Sequence, residues 1–186
     1  MRTFIGISFP EEYKKILKNI KQKWQNRLLS KIKWTEEKNF HLTLFFIGEV
    51  NEISVNNIKH NISKISTNSF TFQAGGGGFF PDIKRPRVIW VGSLKGGKEC
   101  SKLSKQIIHA LEDIGIMRDD KPFKAHLTLG RIKYCNYKDP WGEFLHYLNK
   151  ISWPEIKISN FTLWKSTLTP SGPIYTSIEE FQLSNL

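Results

Sequence analysis

A tetrapeptide that combines histidine and threonine occurs twice in this 186-residue chain. The first copy is His41-Leu42-Thr43-Leu44 and the second is His126-Leu127-Thr128-Leu129. Each copy lies in an apolar, β-prone run, where successive side chains point to opposite faces of a strand. Each strand therefore presents an imidazole and a hydroxyl on one face and two leucines on the other. If the two strands align these faces, two imidazoles and two hydroxyls converge on one cleft.

This set of groups suits acid-base chemistry on a phosphate ester. Opening a five-membered cyclic phosphodiester by in-line attack needs one group to take a proton from water and another to protonate the departing ribose oxygen. Two imidazoles with ordinary pKa values of about 6.5 can divide these roles near neutral pH. The hydroxyls of Thr43 and Thr128 would donate hydrogen bonds to the non-bridging phosphate oxygens. This chemistry requires neither a metal ion nor a cofactor, and we expect none.

Zinc binding is the main alternative use of two histidines. Cys100 and Cys135 lie at no ligand spacing, and no third ligand can be nominated from the sequence. The remaining histidines (His60, His109 and His146) lie in helical patterns and are interpreted as surface or helix-packing residues. We therefore favour acid-base catalysis over a metal site.

Arg131 would be a natural phosphate clamp, because a guanidinium can pair two phosphate oxygens at once. Strict alternation, however, places it on the leucine face, since residues 126, 128 and 130 share a parity that residue 131 does not. Arg131 reaches the site only if the strand ends or bulges at Gly130, a residue type that often marks such a departure. Otherwise it is a solvent-facing arginine at a strand end.

The charge balance favours a polyanionic partner. Lysine and arginine number 28 against 17 acidic residues, which gives a formal net charge of +11. Positive potential attracts phosphates and steers their approach. A lysine-rich surface can also serve solubility alone, so the charge supports a phosphate substrate without establishing one.

The cysteine usage and hydropathy predict a soluble protein of the cytoplasm. The two lone cysteines follow no signal-like apolar segment, and a reduced compartment is their usual setting. No stretch approaches the roughly 18 consecutive apolar residues of a membrane-spanning helix. We expect a monomer without membrane contact.

Around the motifs, the pattern of apolar residues predicts strands that alternate with helices. Helices are predicted from Glu11 to about Lys31, from Ile53 to Ile65, from Gly97 to about Gly115 and around Phe144–Leu148. Strands are predicted at residues 2–9, 38–50, 69–73, 86–94, 123–132, 156–165 and 174–183. No linker rich in serine, proline or charge divides the chain. The sequence therefore predicts one α+β domain over residues 1–186, with two related lobes around a central cleft.

A run of four glycines, Gly75 to Gly78, precedes Phe79-Phe80-Pro81. It is interpreted as a loop, either mobile with two aromatics at its tip or simply a flexible connection. A phosphate-binding loop is rejected, because no following Lys-Ser/Thr or helix start completes that signature.

With both motifs placed on strands, the chain resembles the two-histidine (2H) phosphoesterases, and within them the RNA 2′,3′-cyclic phosphodiesterases, also called 2′-5′ RNA ligases. The resemblance covers nearly the whole chain. It rests on residues 2–7, 39–48, 78–81, 86–92 and 126–131 and on the segment from Ser166 to Tyr175. Ala125 departs from the proline that many members carry before the second histidine.

The resemblance implies two pseudo-symmetric α/β lobes with antiparallel sheets flanking a central cleft. It implies that His41 is the general acid and His126 the general base, which leaves a 2′-phosphate on RNA or a nucleotide. Thr43, Thr128 and Arg131 would bind the phosphate, and Phe80 would stack on the base. Phe79 and Phe80 could equally pin their segment to the core.

Other functions stay open from the sequence. The same site run in reverse would make a 2′-5′ linkage, and a non-catalytic RNA-binding module would use the same basic cleft. A different cyclic phosphate, such as ADP-ribose 1″,2″-cyclic phosphate, is also compatible. The residues themselves do not settle which histidine is the acid.

Overall fold

The computed structural model describes residues 1–117, 122–170 and 172–185, which form nine strands and four α-helices. The strands are β1 (Arg2–Ser8), β2 (Lys31–Trp34), β3 (His41–Glu49), β4 (Phe70–Phe80), β5 (Val88–Lys95), β6 (Leu127–Tyr134), β7 (Ile156–Ile158), β8 (Asn160–Thr169) and β9 (Gly172–Gln182). The helices are α1 (Glu11–Trp24), α2 (Glu52–Ile62), α3 (Gly97–Glu112) and α4 (Trp141–Lys150).

The strands form two antiparallel sheets. The first has the order β3-β1-β8-β9 and the second the order β2-β6-β5-β4-β7. The two His-Thr strands thus belong to different sheets and meet across the junction of the two lobes. The predicted α+β class with two sheets around a cleft is confirmed.

The core forms because each sheet buries one face under helices. The four leucines of the repeated tetrapeptide (Leu42, Leu44, Leu127 and Leu129) are all fully or almost fully buried. Helix α1 contributes an apolar stripe at three- and four-residue spacing, from Tyr13 through Leu17 and Ile20 to Trp24. Burying each such side chain stabilises the fold by roughly 1.5–3 kcal/mol. The leucine faces therefore anchor the two strands, as the alternation predicts.

Both His-Thr strands carry the same irregularity. In the pairing of β1 with β3, Thr43 lies opposite Gly6 but Phe45 lies opposite Ile5, so Leu44 is an extra residue. In the pairing of β5 with β6, Thr128 lies opposite Trp90 but Gly130 lies opposite Ile89, so Leu129 is the extra residue. A bulge of this kind shifts the alternation by one residue. The residue three positions after each threonine therefore faces the same side as that threonine.

The predicted extension of the first helix to Lys31 is wrong. Helix α1 ends at Trp24, and residues 31–34 form β2. The carboxylate of Asp139, far away in the chain, accepts hydrogen bonds from the backbone N–H groups of Leu29 (2.7 Å) and Ser30 (2.8 Å). These bonds hold the connection in a non-helical path that short-range periodicity does not reveal.

The predicted glycine loop is also wrong, because Gly75 to Gly78 lie inside strand β4. A side chain at Gly78 would overlap the indole of Trp90, the residue of β5 that pairs directly with Gly78. Gly76 has a φ of +71°, which favours glycine at the irregular point of the strand. Gly75, Gly77 and Gly78 thus make room for neighbouring side chains, and the run is part of a sheet instead of a loop.

Across the described ranges, no helix is both long and apolar enough to span a membrane.

Candidate active site

A cavity of about 270 Å³ opens between the two sheets. It brings together five of the six residues predicted from the sequence, namely His41, Thr43, His126, Thr128 and Arg131. Apart from Pro173, its remaining walls are polar, charged or aromatic, and they are formed by Lys33, Trp34, Thr35, Glu36, Asn39, Phe46, Lys133 and Tyr175. The cavity therefore combines two imidazoles with a surplus of positive charge.

His41 begins β3 and is held at both ring nitrogens. Its Nδ1 donates to the carbonyl oxygen of Asn39 at 2.7 Å, and its Nε2 lies 2.9 Å from Oγ1 of Thr43. Aromatic rings surround it: the Phe4 ring centroid is 4.9 Å away, and the Tyr175 ring stands edge-on at 5.2 Å. His41 thus has a fixed orientation and little room to turn.

His126 immediately precedes β6 and is supported in the same way on one side only. Its Nδ1 donates to the carbonyl oxygen of Lys124 at 2.7 Å. The Phe80 ring packs edge-on against the imidazole at 5.1 Å, and the Trp90 ring lies behind Phe80 at 5.1 Å. Within the described part of the chain, Nε2 of His126 has no hydrogen-bond partner. That nitrogen is therefore available to water or substrate.

The carbonyl bonds fix the tautomers. A carbonyl oxygen only accepts, so Nδ1 carries the hydrogen in both rings. In the neutral rings the lone pair is then on Nε2. The hydroxyl of Thr43 donates to that lone pair in His41, whereas the lone pair of His126 has no such donor among the described residues. The two histidines are alike in tautomer and different in the state of the reactive nitrogen.

Burial lowers the pKa of both imidazoles below the ordinary value of 6.5. The hydrogen bond to Asn39 opposes this for His41, while the charges of Arg131 and His126 add to it. For His126, the bond to the Lys124 carbonyl opposes the lowering, while the charges of Arg131 and Lys124 add to it. Both rings are therefore predominantly neutral at pH 7 when the cavity is free.

Arg131 reaches the cavity because of the bulge in β6. Val88 and Trp90 lie on one face of β5, and they pair with Arg131 and Thr128 respectively. Directly paired residues of antiparallel strands share a face, so Arg131 and Thr128 do as well. The irregularity expected at Gly130 lies one residue earlier, at Leu129. The strand irregularity that Arg131 needs in order to face the cavity is therefore present.

The two phenylalanines after the glycine run have different environments. Phe79 is buried against Trp141 and Phe144, with ring centroids 5.5 and 6.4 Å away. Phe80 is partly exposed and contacts His126, but it does not line the cavity. Phe79 thus pins β4 to the core, and Phe80 supports the second histidine.

Several cavity residues were not predicted from the sequence. Phe46 is 52% exposed and lines the cavity, because the bulge at Leu44 turns it to the face of Thr43. Tyr175 comes from β9 at the far edge of the same sheet and closes the wall beside His41. A signal for Phe46 was present: it follows His41 by the same five residues that separate Arg131 from His126.

Within residues 1–117, 122–170 and 172–185, no group of three or more His, Cys, Asp or Glu side chains is placed to hold a metal ion.

A known protein family matches most of the chain. The model of the LigT-like phosphoesterases matches residues 7–90 and 94–175. An RNA 2′,3′-cyclic phosphodiesterase of Thermotoga maritima is 37% identical over 186 residues, covering 98% of this chain and 95% of the relative. The corresponding protein of Archaeoglobus fulgidus is 34% identical and covers 98% of this chain and 100% of its own length.

Solved structures share the fold. A protein of Thermus thermophilus superposes with a TM-score of 0.83 at 27% identity, with 98% of both chains covered. The crystal structure of E. coli LigT complexed with 3′-AMP has a TM-score of 0.79 at 22% identity, again with 98% of both chains covered. The second likeness concerns the fold alone.

Proposed function

The chain belongs to the LigT-like phosphoesterase family, and on this premise we propose that it hydrolyses the 2′,3′-cyclic phosphate end of an RNA or nucleotide to a 2′-phosphate. The observation that carries the proposal is the pair of imidazoles on one basic cavity, each oriented by a carbonyl bond at Nδ1. The relatives named RNA 2′,3′-cyclic phosphodiesterase support the reaction.

His126 acts as the general base in this proposal. Its Nε2 lone pair takes a proton from water while the water oxygen forms a bond to phosphorus. The lone pair of His41 is already engaged by the Thr43 hydroxyl, whereas that of His126 has no donor among the described residues. This difference supports the assignment of the base to His126.

His41 acts as the general acid. As the bond between phosphorus and the 3′ oxygen breaks, the proton on Nε2 passes to that oxygen and frees the 3′ hydroxyl. The bound phosphate anion favours the protonated ring, because it offsets the nearby positive charge of Arg131. The products are a 2′-phosphate and an unmodified 3′ hydroxyl, and no metal ion takes part.

Arg131 and the two threonines stabilise the negative charge that gathers on the non-bridging oxygens. Arg131 can pair two of these oxygens, and the Thr128 hydroxyl has no hydrogen-bond partner in the described ranges. Protonation of His41 takes up the Nε2 lone pair that accepted from the Thr43 hydroxyl, so the Thr43 hydrogen becomes available to the phosphate and the Nε2–H to the 3′ oxygen. Phe80 and Phe46 are the two candidates for contact with the base.

Chromatographic product analysis tests the proposal. Wild-type protein with EDTA should convert 2′,3′-cyclic AMP and an RNA with a cyclic end to 2′-phosphates. His41→Ala and His126→Ala should each lower kcat by about 100- to 10,000-fold. His60→Ala, which removes an exposed histidine from α2, is the matched control and should leave kcat unchanged.

Three results would contradict the proposal. Intact substrate with wild-type protein would exclude the hydrolysis, and turnover that EDTA abolishes would exclude a reaction without metal. A 3′-phosphate product would show that the 2′ oxygen is the leaving group instead of the 3′ oxygen. When an RNA with a 5′ hydroxyl is added, a 2′-5′-linked product would identify strand joining in the same site.

A further inference from the structure

The face of the second sheet that carries His126 continues beyond the cavity as a row of basic side chains. Strands β2 and β6 form this end of the sheet, and β2 is its edge. We define the basic strip as the five residues Lys31, Lys33, Arg131, Lys133 and Tyr134. Lys33, Arg131 and Lys133 line the cavity, whereas Lys31 and Tyr134 lie outside it. The strip therefore begins in the site and leaves it.

The pairing register places these side chains on one face. Lys33 lies directly opposite Arg131, and Lys31 lies directly opposite Tyr134. Residues paired in this way share a face, and so do Lys31 and Lys33, which are two residues apart on one strand. A register shift between Lys31 and Ile32 leaves Lys133 as an extra residue, and its side chain lines the cavity. The shared face is that of Thr128.

The positive charges of the strip lie near few acidic side chains: among the described residues that line the cavity, Glu36 alone is acidic, and it pairs with Lys38. None of its four cations lies within salt-bridge distance of a carboxylate among the described residues, although six other ion pairs occur there. Like charges directly opposite each other, as in Lys33 and Arg131, destabilise a sheet. Charged residues, and lysine in particular, protect an edge strand from aggregation. That role does not require a lysine directly opposite Arg131, where an acidic residue would attract the guanidinium. The uncompensated charge points to an anion that binds there.

An aromatic ring extends the strip beyond the cations. Tyr134 is 63% exposed, and the four cationic residues are exposed as well. Exposed aromatic rings among cations are the usual means by which proteins bind single-stranded nucleic acid, since bases stack on the rings and phosphates pair with the cations. A small phosphate ester would fill the cavity without reaching Lys31 or Tyr134.

We propose that the basic strip binds the single-stranded RNA that precedes the cyclic end, and that the preferred substrate is an oligonucleotide. A cyclic phosphate occupies the 3′ end of an RNA, so every other nucleotide lies on its 5′ side and must leave the cavity. The strip offers these nucleotides a continuous basic path along β2 and β6. This inference rests on the proposed hydrolysis and adds the form of the substrate.

Two substrates distinguish the contribution of the strip to activity from that of the cavity. The first is 2′,3′-cyclic AMP, and the second is a short single-stranded oligoribonucleotide that ends in a cyclic phosphate. Lys31→Ala and Tyr134→Ala should lower kcat/KM for the oligonucleotide and leave it unchanged for the mononucleotide. Loss of one stacked base should cost about 5- to 150-fold for Tyr134→Ala. For Lys31→Ala, the slope of log kcat/KM against log salt concentration should decrease by about 0.7.

Matched controls distinguish these contacts from general effects. Tyr134→Phe keeps the ring and should retain activity on the oligonucleotide. Lys18→Ala removes the same charge from the exposed face of α1 and should leave kcat/KM unchanged for both substrates. If Lys31→Ala and Tyr134→Ala hydrolyse the oligonucleotide as well as wild type does, the inference is overturned and the proposed hydrolysis stands.

A binding measurement keeps the strip testable even without turnover. Fluorescence anisotropy with the same RNA ending in a 3′ hydroxyl reports affinity alone. If wild-type protein hydrolyses neither substrate, the proposed function fails. The strip is still supported when Lys31→Ala and Tyr134→Ala weaken this binding, and it is overturned when they do not.

Discussion

The two His-Thr strands start from one tetrapeptide and give two different chemical environments. Both imidazoles donate from Nδ1 to the carbonyl two residues upstream. His41 then has its Nε2 engaged by Thr43 and its ring enclosed by Phe4 and Tyr175. His126 has its Nε2 unengaged by the described residues. The tetrapeptide thus sets the tautomer, and the neighbouring strands set the reactivity.

The difference continues beyond the bulges. The residue that each bulge turns to the cavity is Phe46 in the first half and Arg131 in the second. Phe46 stacks on Phe4 across the strands at 5.7 Å, whereas Arg131 lies opposite the like-charged Lys33. One geometry therefore supplies an apolar wall beside the first histidine and a cation beside the second. A repeated backbone feature has been used for two different side chains.

The largest effect should come from a substrate that needs no general acid. In a cyclic phosphorothiolate with sulfur at the 3′ position, the leaving thiolate is stable without a proton. We expect His41→Ala to recover about 100-fold or more of its lost rate on this substrate, because general-acid catalysis contributes about that much. His126→Ala should recover nothing. Steady-state kinetics of both variants on both substrates measures this, and the opposite pattern would exchange the two roles.

The next effect should come from the two residues after the bulges. Arg131→Ala should lower kcat/KM by about 10- to 150-fold, because a hydrogen bond to a charged group contributes about 1.5–3 kcal/mol. Phe46→Ala should mainly raise KM for a cyclic nucleotide, by about 5-fold or more if the base stacks there. Phe80→Ala is the comparison variant for the base contact. Equal kcat/KM in wild type and Arg131→Ala would remove Arg131 from the site.

A smaller effect concerns the pH dependence of kcat/KM. Activity needs His126 neutral, so it falls as the pH drops below the pKa of His126. It needs His41 protonated, so it also falls as the pH rises above the pKa of His41. Both pKa values lie below 6.5 in the free protein, so the maximum of kcat/KM should lie below pH 6.5. A plateau that extends above pH 7 would contradict this prediction.

The smallest effect is on stability. Folding lowers the pKa of both histidines, so the unfolded chain binds more protons below pH 6.5. The histidines therefore leave stability intact above pH 6.5 and reduce it as the pH falls. His41→Gln should make the urea midpoint less dependent on pH between 7 and 5, and His126→Gln should do so less strongly because that ring is less enclosed. Identical pH dependence in wild type and His41→Gln would show that burial of His41 is without effect.

Local patterns predicted much of the fold. The apolar stripe of α1 and the buried leucines of the tetrapeptide follow directly from helical and strand periodicity. The family resemblance carried by the two motifs is confirmed by the family match. These features depend on residues close together in the chain, which is why the sequence reveals them.

Features that depend on distant partners were not predicted. The bulge at Leu129 exists only relative to β5, so strand parity placed Arg131 on the leucine face, and the sequence could give a break near Gly130 only as the condition for Arg131 to reach the site. The path of residues 29 and 30, after the end of α1, depends on Asp139, more than a hundred residues away. Phe46 reaches the cavity only through the bulge in β3. In each case a second strand or a remote side chain decides the outcome.

The glycine run shows how one strand can be shaped by side chains that belong to others. Three of its glycines border space filled by neighbours: Leu94 over Gly75, Leu148 over Gly77 and Trp90 over Gly78. The Trp90 ring that fills the last of these spaces supports Phe80, which in turn contacts His126. Because Gly78 has no side chain, Trp90 can occupy the position from which it supports Phe80 and, through Phe80, the His126 imidazole. For anyone redesigning this protein, Gly78 is a steric control on the second histidine.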